Sequence, residues 1–140
     1  MSGLRVLETS LYVDDLDAAE RFYHGVLGLE VHGRHPGRHV FFNCGEGVLL
    51  VFAPAATATA SAVVEGTTIP PHGADGPGHV AFAVPESELA SWKGRLAQRG
   101  VEIEAEVVWP RGGRSVYFRD PAGNSLEFAS PVIWGLPEHS

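Results

Sequence analysis

The pattern Glu8-Thr-Ser-Leu-Tyr-Val13 returns as His79-Val-Ala-Phe-Ala-Val84, and the helix and hairpin signals behind the first copy return behind the second. A repeat of this length restricts the fold first, because each copy must be one supersecondary unit that shares its core with a neighbour. Both segments alternate bulky with small or polar residues, as a half-buried strand does. Both run at once into a helix signal. The first helix opens at Asp14-Asp15, a good N-cap, and carries Leu16, Ala19, Phe22, Tyr23, Val26 and Leu27 on one face before Gly28 stops it. The second opens after Pro85 near Ser87, repeats the stripe with Leu89, Trp92 and Leu96, and stops at Gly100. Strands are expected next, over Leu29–His32 and Val101–Val107.

The two halves also end alike. Val40 to Ala53 lies over Val116 to Ala129 without a gap, each reading as strand, tight turn, strand, with Gly-rich or Asp-Pro-x-Gly turn chemistry. Each half is therefore β-α-β-β-β: one module over about 7–53 and a second over about 78–129. Residues 54–77, rich in Ala, Thr, Pro and Gly, read as a linker or lid without periodicity, and 130–140 as a tail. The expected class is α+β, two tandem modules making one curved eight-stranded mixed sheet, with helices on the convex face and a cleft on the concave one. At 140 residues and 15.0 kDa there is room for one such domain.

Charge narrows the partners. The net charge is −7 and the ten Lys and Arg never form a run, which argues against nucleic acid and anionic membranes and leaves a small-molecule or protein partner. Cys44, the single cysteine, excludes an intrachain disulfide and a cysteine metal cluster. No apolar stretch approaches the roughly 20 residues that cross a bilayer. No signal-peptide core opens the chain, so a cytoplasmic protein is expected.

Strand alternation then decides what enters the cleft. Glu8, Ser10 and Tyr12 face it from the first strand, His79, Ala81 and Ala83 from the first strand of the second module, and Ser125, Glu127 and Ala129 from the last. Glu8, His79 and Glu127 occupy equivalent inward positions. Two carboxylates held close without a cation repel, and a divalent ion relieves that. One nitrogen with carboxylate oxygens suits Mn, Fe(II), Ni, Co or Zn, and is too oxygen-poor for calcium. Three protein ligands leave positions open for water or substrate, as catalytic sites do.

The segment from Leu11 to Gly28, with Gly78-His-Val-Ala-Phe-Ala-Val84 and Tyr117-Phe-Arg-Asp-Pro-Ala-Gly-Asn-Ser-Leu-Glu127, resembles the vicinal-oxygen-chelate superfamily of glyoxalase, bleomycin-resistance and extradiol-dioxygenase proteins. The resemblance covers nearly the whole chain. It implies metal ligands on the first and last strands of each module, which here are Glu8, Val51, His79 and Glu127. Val51 cannot ligate. The three that remain resemble the fosfomycin-resistance transferases more than four-ligand members such as glyoxalase I or methylmalonyl-CoA epimerase. Those transferases have a His where Glu8 stands, and a basic tail where no Lys or Arg follows Glu127. The resemblance also implies a homodimer.

Around the metal the same likeness puts Phe41 and Tyr117, and His39 and Ser115, on the cavity wall as repeat-related pairs. Glu127, His39 and Tyr117 are the expected catalytic groups, with His39 fit for proton transfer near neutral pH and Tyr117 as a general acid. Tyr12, Phe41, Ser115, Arg111 and Arg114 are expected at the substrate. The two Arg lie in a loop where a guanidinium forks onto a carboxylate or phosphonate. His72 stands on the lid. The expected function is a metal-dependent enzyme that chelates a small oxygen-bearing substrate and stabilises an oxyanion or enolate. The alternative is a metal-free protein that sequesters a drug.

Overall fold

The computed structural model describes residues 3–59 and 62–138. It divides into two compact units, Met1–Gly78 and His79–Ser140. In the first, strand β1 (Glu8–Tyr12) leads into helix α1 (Leu16–Glu20), which widens into a π-helical turn over Arg21–Val26. The Asp15 carboxylate caps α1 by accepting the Ala18 N–H at 3.0 Å. Phe22 and Tyr23 are both buried, their rings meet edge-on at 5.3 Å, and Tyr23 packs on Phe42 at 5.5 Å. Gly28 closes the helix at φ 77°, a conformation that costs a residue with a Cβ. Strands β2 (Glu30–His35), β3 (His39–Cys44) and β4 (Gly47–Phe52) follow, and the sheet order is β1-β4-β3-β2. β1 runs parallel to β4 and the other pairs are antiparallel.

The linker is more ordered than its composition predicts. It carries a short helix α2 (Pro54–Thr57) and a hairpin of β5 (Ala62–Val64) and β6 (Thr67–Ile69). Val64 pairs with Thr67, so the loop is the two residues Glu65-Gly66, and both have positive φ, 49° and 82°. That is the mirror-type turn whose twist matches paired strands. A Glu in its first position hides the signal that Asn-Gly or Asp-Gly announces.

The second unit repeats the first. Strand β7 (His79–Ala83) leads through a 3₁₀ turn, Glu86–Glu88, into α3 (Leu89–Gln98), and Gly100 at φ 73° stands where Gly28 stood. β8 (Ala105–Val108), β9 (Arg114–Arg119) and β10 (Ser125–Ala129) complete a sheet in the order β7-β10-β9-β8, with β7 parallel to β10. The eight expected strands therefore divide four and four, each hydrogen-bonded within its own unit. β2 and β8 begin later than the apolar pattern predicts, because the chain first closes each helix. The Leu29 N–H reaches Tyr23 O at 3.0 Å and the Val101 N–H reaches Leu96 O at 2.8 Å.

Helices cover one face of each sheet. α1 packs on β3 and β4, and Trp92 of α3 meets Phe128 of β10 at 4.9 Å. The buried side chains Val40, Phe42, Leu49 and Val51 form that face in the first unit, and Val116, Phe118, Leu126 and Phe128 form it in the second.

Here the gapless repeat is corrected. Phe41 pairs with Leu50, whereas its equivalent Tyr117 pairs with Glu127. The counterpart of Glu127 is thus Leu50, not Val51, which is 0% exposed against the helix. The cause is the turn. Cys44 and Gly47 enclose two residues, Gly45 and Glu46, while Asp120 and Asn124 enclose three, Pro121, Ala122 and Gly123. Asp120 holds the longer turn by accepting the Ala122 and Asn124 N–H groups at 3.0 and 2.8 Å and the Asn124 side-chain amide at 2.9 Å. Leu50 ligates no better than Val51.

The register gives a stability test. Val51→Ala leaves a cavity in the packed layer and should cost about 2 kcal/mol, while half-buried Leu50→Ala should cost about 1 kcal/mol. Urea unfolding that ranks them in the opposite order would return Val51 to the open face.

Candidate metal centre

Glu127 lies on β10 with its carboxylate on the face that carries no helix, yet it is only 5% exposed. Its two oxygens are used differently. Oε2 accepts the Ser115 hydroxyl at 2.5 Å, and Ser115 in turn accepts the indole N–H of Trp109 at 2.9 Å. Oε1 lies 3.3 Å from His79 Nε2. On the far side of the ring, His79 Nδ1 is 3.0 Å from the carbonyl of Ser125. A carbonyl only accepts, so Nδ1 carries the proton. A neutral His79 then presents the Nε2 lone pair to a carboxylate oxygen. Two acceptors facing at 3.3 Å need a positive centre between or beside them, a proton or a metal cation. The donor set thus fits a cation: one ring nitrogen and one carboxylate oxygen lie 3.3 Å apart, and each side chain is held by a second hydrogen bond.

Tyr117, on β9 opposite Glu127, completes this face. Its ring lies 6.4 Å from that of His79. Burial first, then the charge of Glu127 and a hydrogen bond to it, push the Tyr117 hydroxyl above its usual range, with Ser115 pulling the other way. It stays protonated at neutral pH, as a general acid must.

The other expected residues are spread over both units. Glu8 is exposed on β1, paired with Val48 on the helix-free face of the first sheet. Within neither unit, among the described residues, do three His, Cys, Asp or Glu side chains group closely enough to hold an ion. Ser115, expected at the substrate, is 1% exposed and engaged with Glu127. Arg114 alternates onto the helix side of β9, where its Nε lies 3.8 Å from Glu86, so it leaves the face that Ser115 and Tyr117 share. Arg111 is exposed in the loop before β9. Sequence reasoning missed Trp109, whose indole donor sits one residue beyond β8, where no periodicity signals a role.

On the helix-free face of the first sheet, Tyr12, Phe41 and His39 join Phe52 in an aromatic cluster. His39 stacks on Phe41 at 3.8 Å, Tyr12 on Phe52 at 6.2 Å, and Phe41 meets Phe52 edge-on at 5.5 Å. His72 closes the cluster from the linker: its Nδ1 is 2.5 Å from the Tyr12 hydroxyl and its backbone N–H donates to Thr57 O at 2.8 Å. Arg38 donates from Nη1 to His39 Nδ1 at 2.6 Å and lies over the Phe52 ring at 5.4 Å. Burial foremost, then the charges of Arg38 and His35, hold the His39 imidazole below its usual pKa.

With this geometry in place, the comparisons are specific. The family model of the Glyoxalase/Bleomycin resistance protein/Dioxygenase superfamily matches residues 5–128, and the chain belongs to that superfamily. Its fold is close to that of a lactoylglutathione lyase from Agrobacterium tumefaciens, 44% identical with a TM-score of 0.89 over 97% of this chain and all of that one. Glutathione transferase FosA of Serratia marcescens is 33% identical over 122 residues, which cover 84% of this chain and 74% of the transferase. A glyoxalase/bleomycin resistance protein/dioxygenase from Nocardioides, 24% identical with a TM-score of 0.69 over 93% of this chain and 85% of that one, shares the fold.

His39 provides a pH test. Its folded pKa is lowered, so the unfolded chain binds the proton more readily, and stability present above about pH 6.5 is lost as pH falls through the lowered value. Arg38→Ala removes a neighbouring charge and should move the His39 titration upward in a proton NMR series. A titration that stays in place would take Arg38 out of contact.

Proposed function

We propose that the protein is a metal-dependent enzyme of this superfamily, with His79, Glu127 and Glu8 holding one divalent ion drawn from Mn, Fe, Ni, Co or Zn. One observation carries the reading: His79 Nδ1 is committed to the Ser125 carbonyl, so Nε2 and Glu127 Oε1 offer two lone pairs to one cation. Glu8 joins them as the repeat equivalent of His79. A divalent ion there would supply Lewis-acid stabilisation of negative charge developing on a substrate oxygen. The chain's own groups do the rest. Tyr117 holds a proton beside the site for transfer to an oxygen, and His39, kept neutral with its Nδ1 lone pair engaged by Arg38, has its Nε2–H left to donate. Tyr12, Phe41 and Phe52 offer flat apolar surface to the body of a ligand, and Arg111 a cation to its anionic end.

The substrate class to test first is a small thiol adduct bearing adjacent oxygens, because both named relatives act on glutathione chemistry. Overall identity leans towards the lyase, while the leucine at the fourth ligand position leans towards the transferase. A cytoplasmic enzyme is proposed; among the described residues no helix is long and apolar enough to cross a membrane. A homodimer is proposed with it, since β1, β2, β7 and β8 stand at the edges of their sheets. Light scattering should give about twice 15.0 kDa, and a monomer at micromolar concentration would remove this part. The aromatic cluster of the first unit favours a second reading, a metal-free protein that sequesters a flat apolar drug.

Elemental analysis and calorimetric titration separate the two readings. The purified protein should bind one divalent ion per site. Glu127→Gln should weaken that binding by more than about a hundredfold, beyond the ~10–100-fold typical of losing an outer partner alone. Equal metal content in Glu127→Gln and the parent would leave sequestration as the better account.

A further inference from the structure

We propose that Trp109 and Ser115 are positioning residues that restrict Glu127 to binding its ion through Oε1 alone. This rests on the metal-holding reading above and extends it to residues that touch neither ion nor substrate. The direction of the relay is set by what each group can donate. An indole N–H only donates, so Ser115 Oγ must accept from Trp109 at 2.9 Å. A hydroxyl has one proton, and with Oγ receiving from Trp109 that proton is aimed at Glu127 Oε2, 2.5 Å away. Oε2 is thereby engaged within the protein, and Ser115, 1% exposed, cannot turn towards solvent. Only Oε1 faces His79, at 3.3 Å. His79 has the same arrangement, one ring nitrogen fixed by Ser125 O and the other towards Glu127 Oε1.

The consequence is chemical. A carboxylate free to rotate would chelate with both oxygens and fill two coordination positions. One held by Ser115 fills one and leaves the second for an oxygen of the substrate. The relay is also a charge-assisted hydrogen bond to a buried carboxylate, stronger than one between neutral groups, which keeps Oε2 in place.

The test uses Co²⁺ alone as probe, read by calorimetry and by its visible absorption spectrum, which changes with coordination number. Ser115→Ala should weaken Co²⁺ binding by about 10–100-fold and alter the spectrum. Ser115→Thr, which keeps the hydroxyl, should restore both to near the parent. Trp109→Phe keeps a ring and removes only the donor, so it should fall between them. All should unfold cooperatively without metal. Ser115→Ala and Trp109→Phe with the parent's affinity and spectrum would overturn the relay while leaving the metal site standing. A parent that binds no Co²⁺ would overturn the metal reading and the relay together. Should Ser115→Ala fail to fold, Trp109→Phe decides, because parent-like binding there rejects the relay by itself.

Discussion

In each module the last strand lies between the first strand and the hairpin partner, so its register governs every side chain on both faces. A shift of one residue in a strand exchanges the two faces completely. In this chain the shift is made in the hairpin turns. The Asp120 carboxylate and its three amide donors stabilise a turn one residue longer than Gly45-Glu46. The longer turn brings a carboxylate opposite Tyr117, where the shorter one brings Leu50 opposite Phe41. Two modules of one design therefore acquire different chemistry: a polar face with a buried carboxylate in the second and an aromatic face in the first.

The polar face is organised around the cost of burying a carboxylate. Glu127 is nearly inaccessible, and an unpaired charge there would be expensive. Ser115 and Tyr117 give it hydrogen-bond donors, and His79 Nε2 lies 3.3 Å from its other oxygen. Because the His79 imidazole on β7 is oriented by the Ser125 carbonyl of β10, two residues from Glu127, the imidazole and its orienting group are fixed by the pairing of β7 with β10.

The aromatic face depends on a different device. Arg38 donates into His39 and lies over Phe52, so a guanidinium and an imidazole share one stack without both being charged. That keeps His39 neutral among aromatic rings, with its Nδ1 lone pair taken by Arg38. His72 ties the linker to the same cluster through Tyr12, and the linker thereby becomes part of the wall.

Much of this was legible in the sequence. The repeat, the Asp15 cap, the glycines that end both helices and the period-two strands are local signals, each set by backbone conformation or side-chain alternation within a few residues. They sufficed for the modules, and for placing Glu8, His79, Glu127 and Tyr117 on the helix-free faces. What they did not contain was any quantity that depends on pairing across the chain. The gapless overlay assigned Val51 because residue counting cannot see that Asp120 and Asn124 close a longer turn. Arg114 and Ser115, adjacent in sequence, point to opposite faces and have opposite fates. Trp109 has no local signature, since its partner lies across the β8–β9 turn and in turn reaches Glu127 only through strand pairing. Local conformation is written in neighbouring residues, and the sequence alone determined it; register and hydrogen-bond direction arise only when distant strands meet, so the tertiary structure decided them.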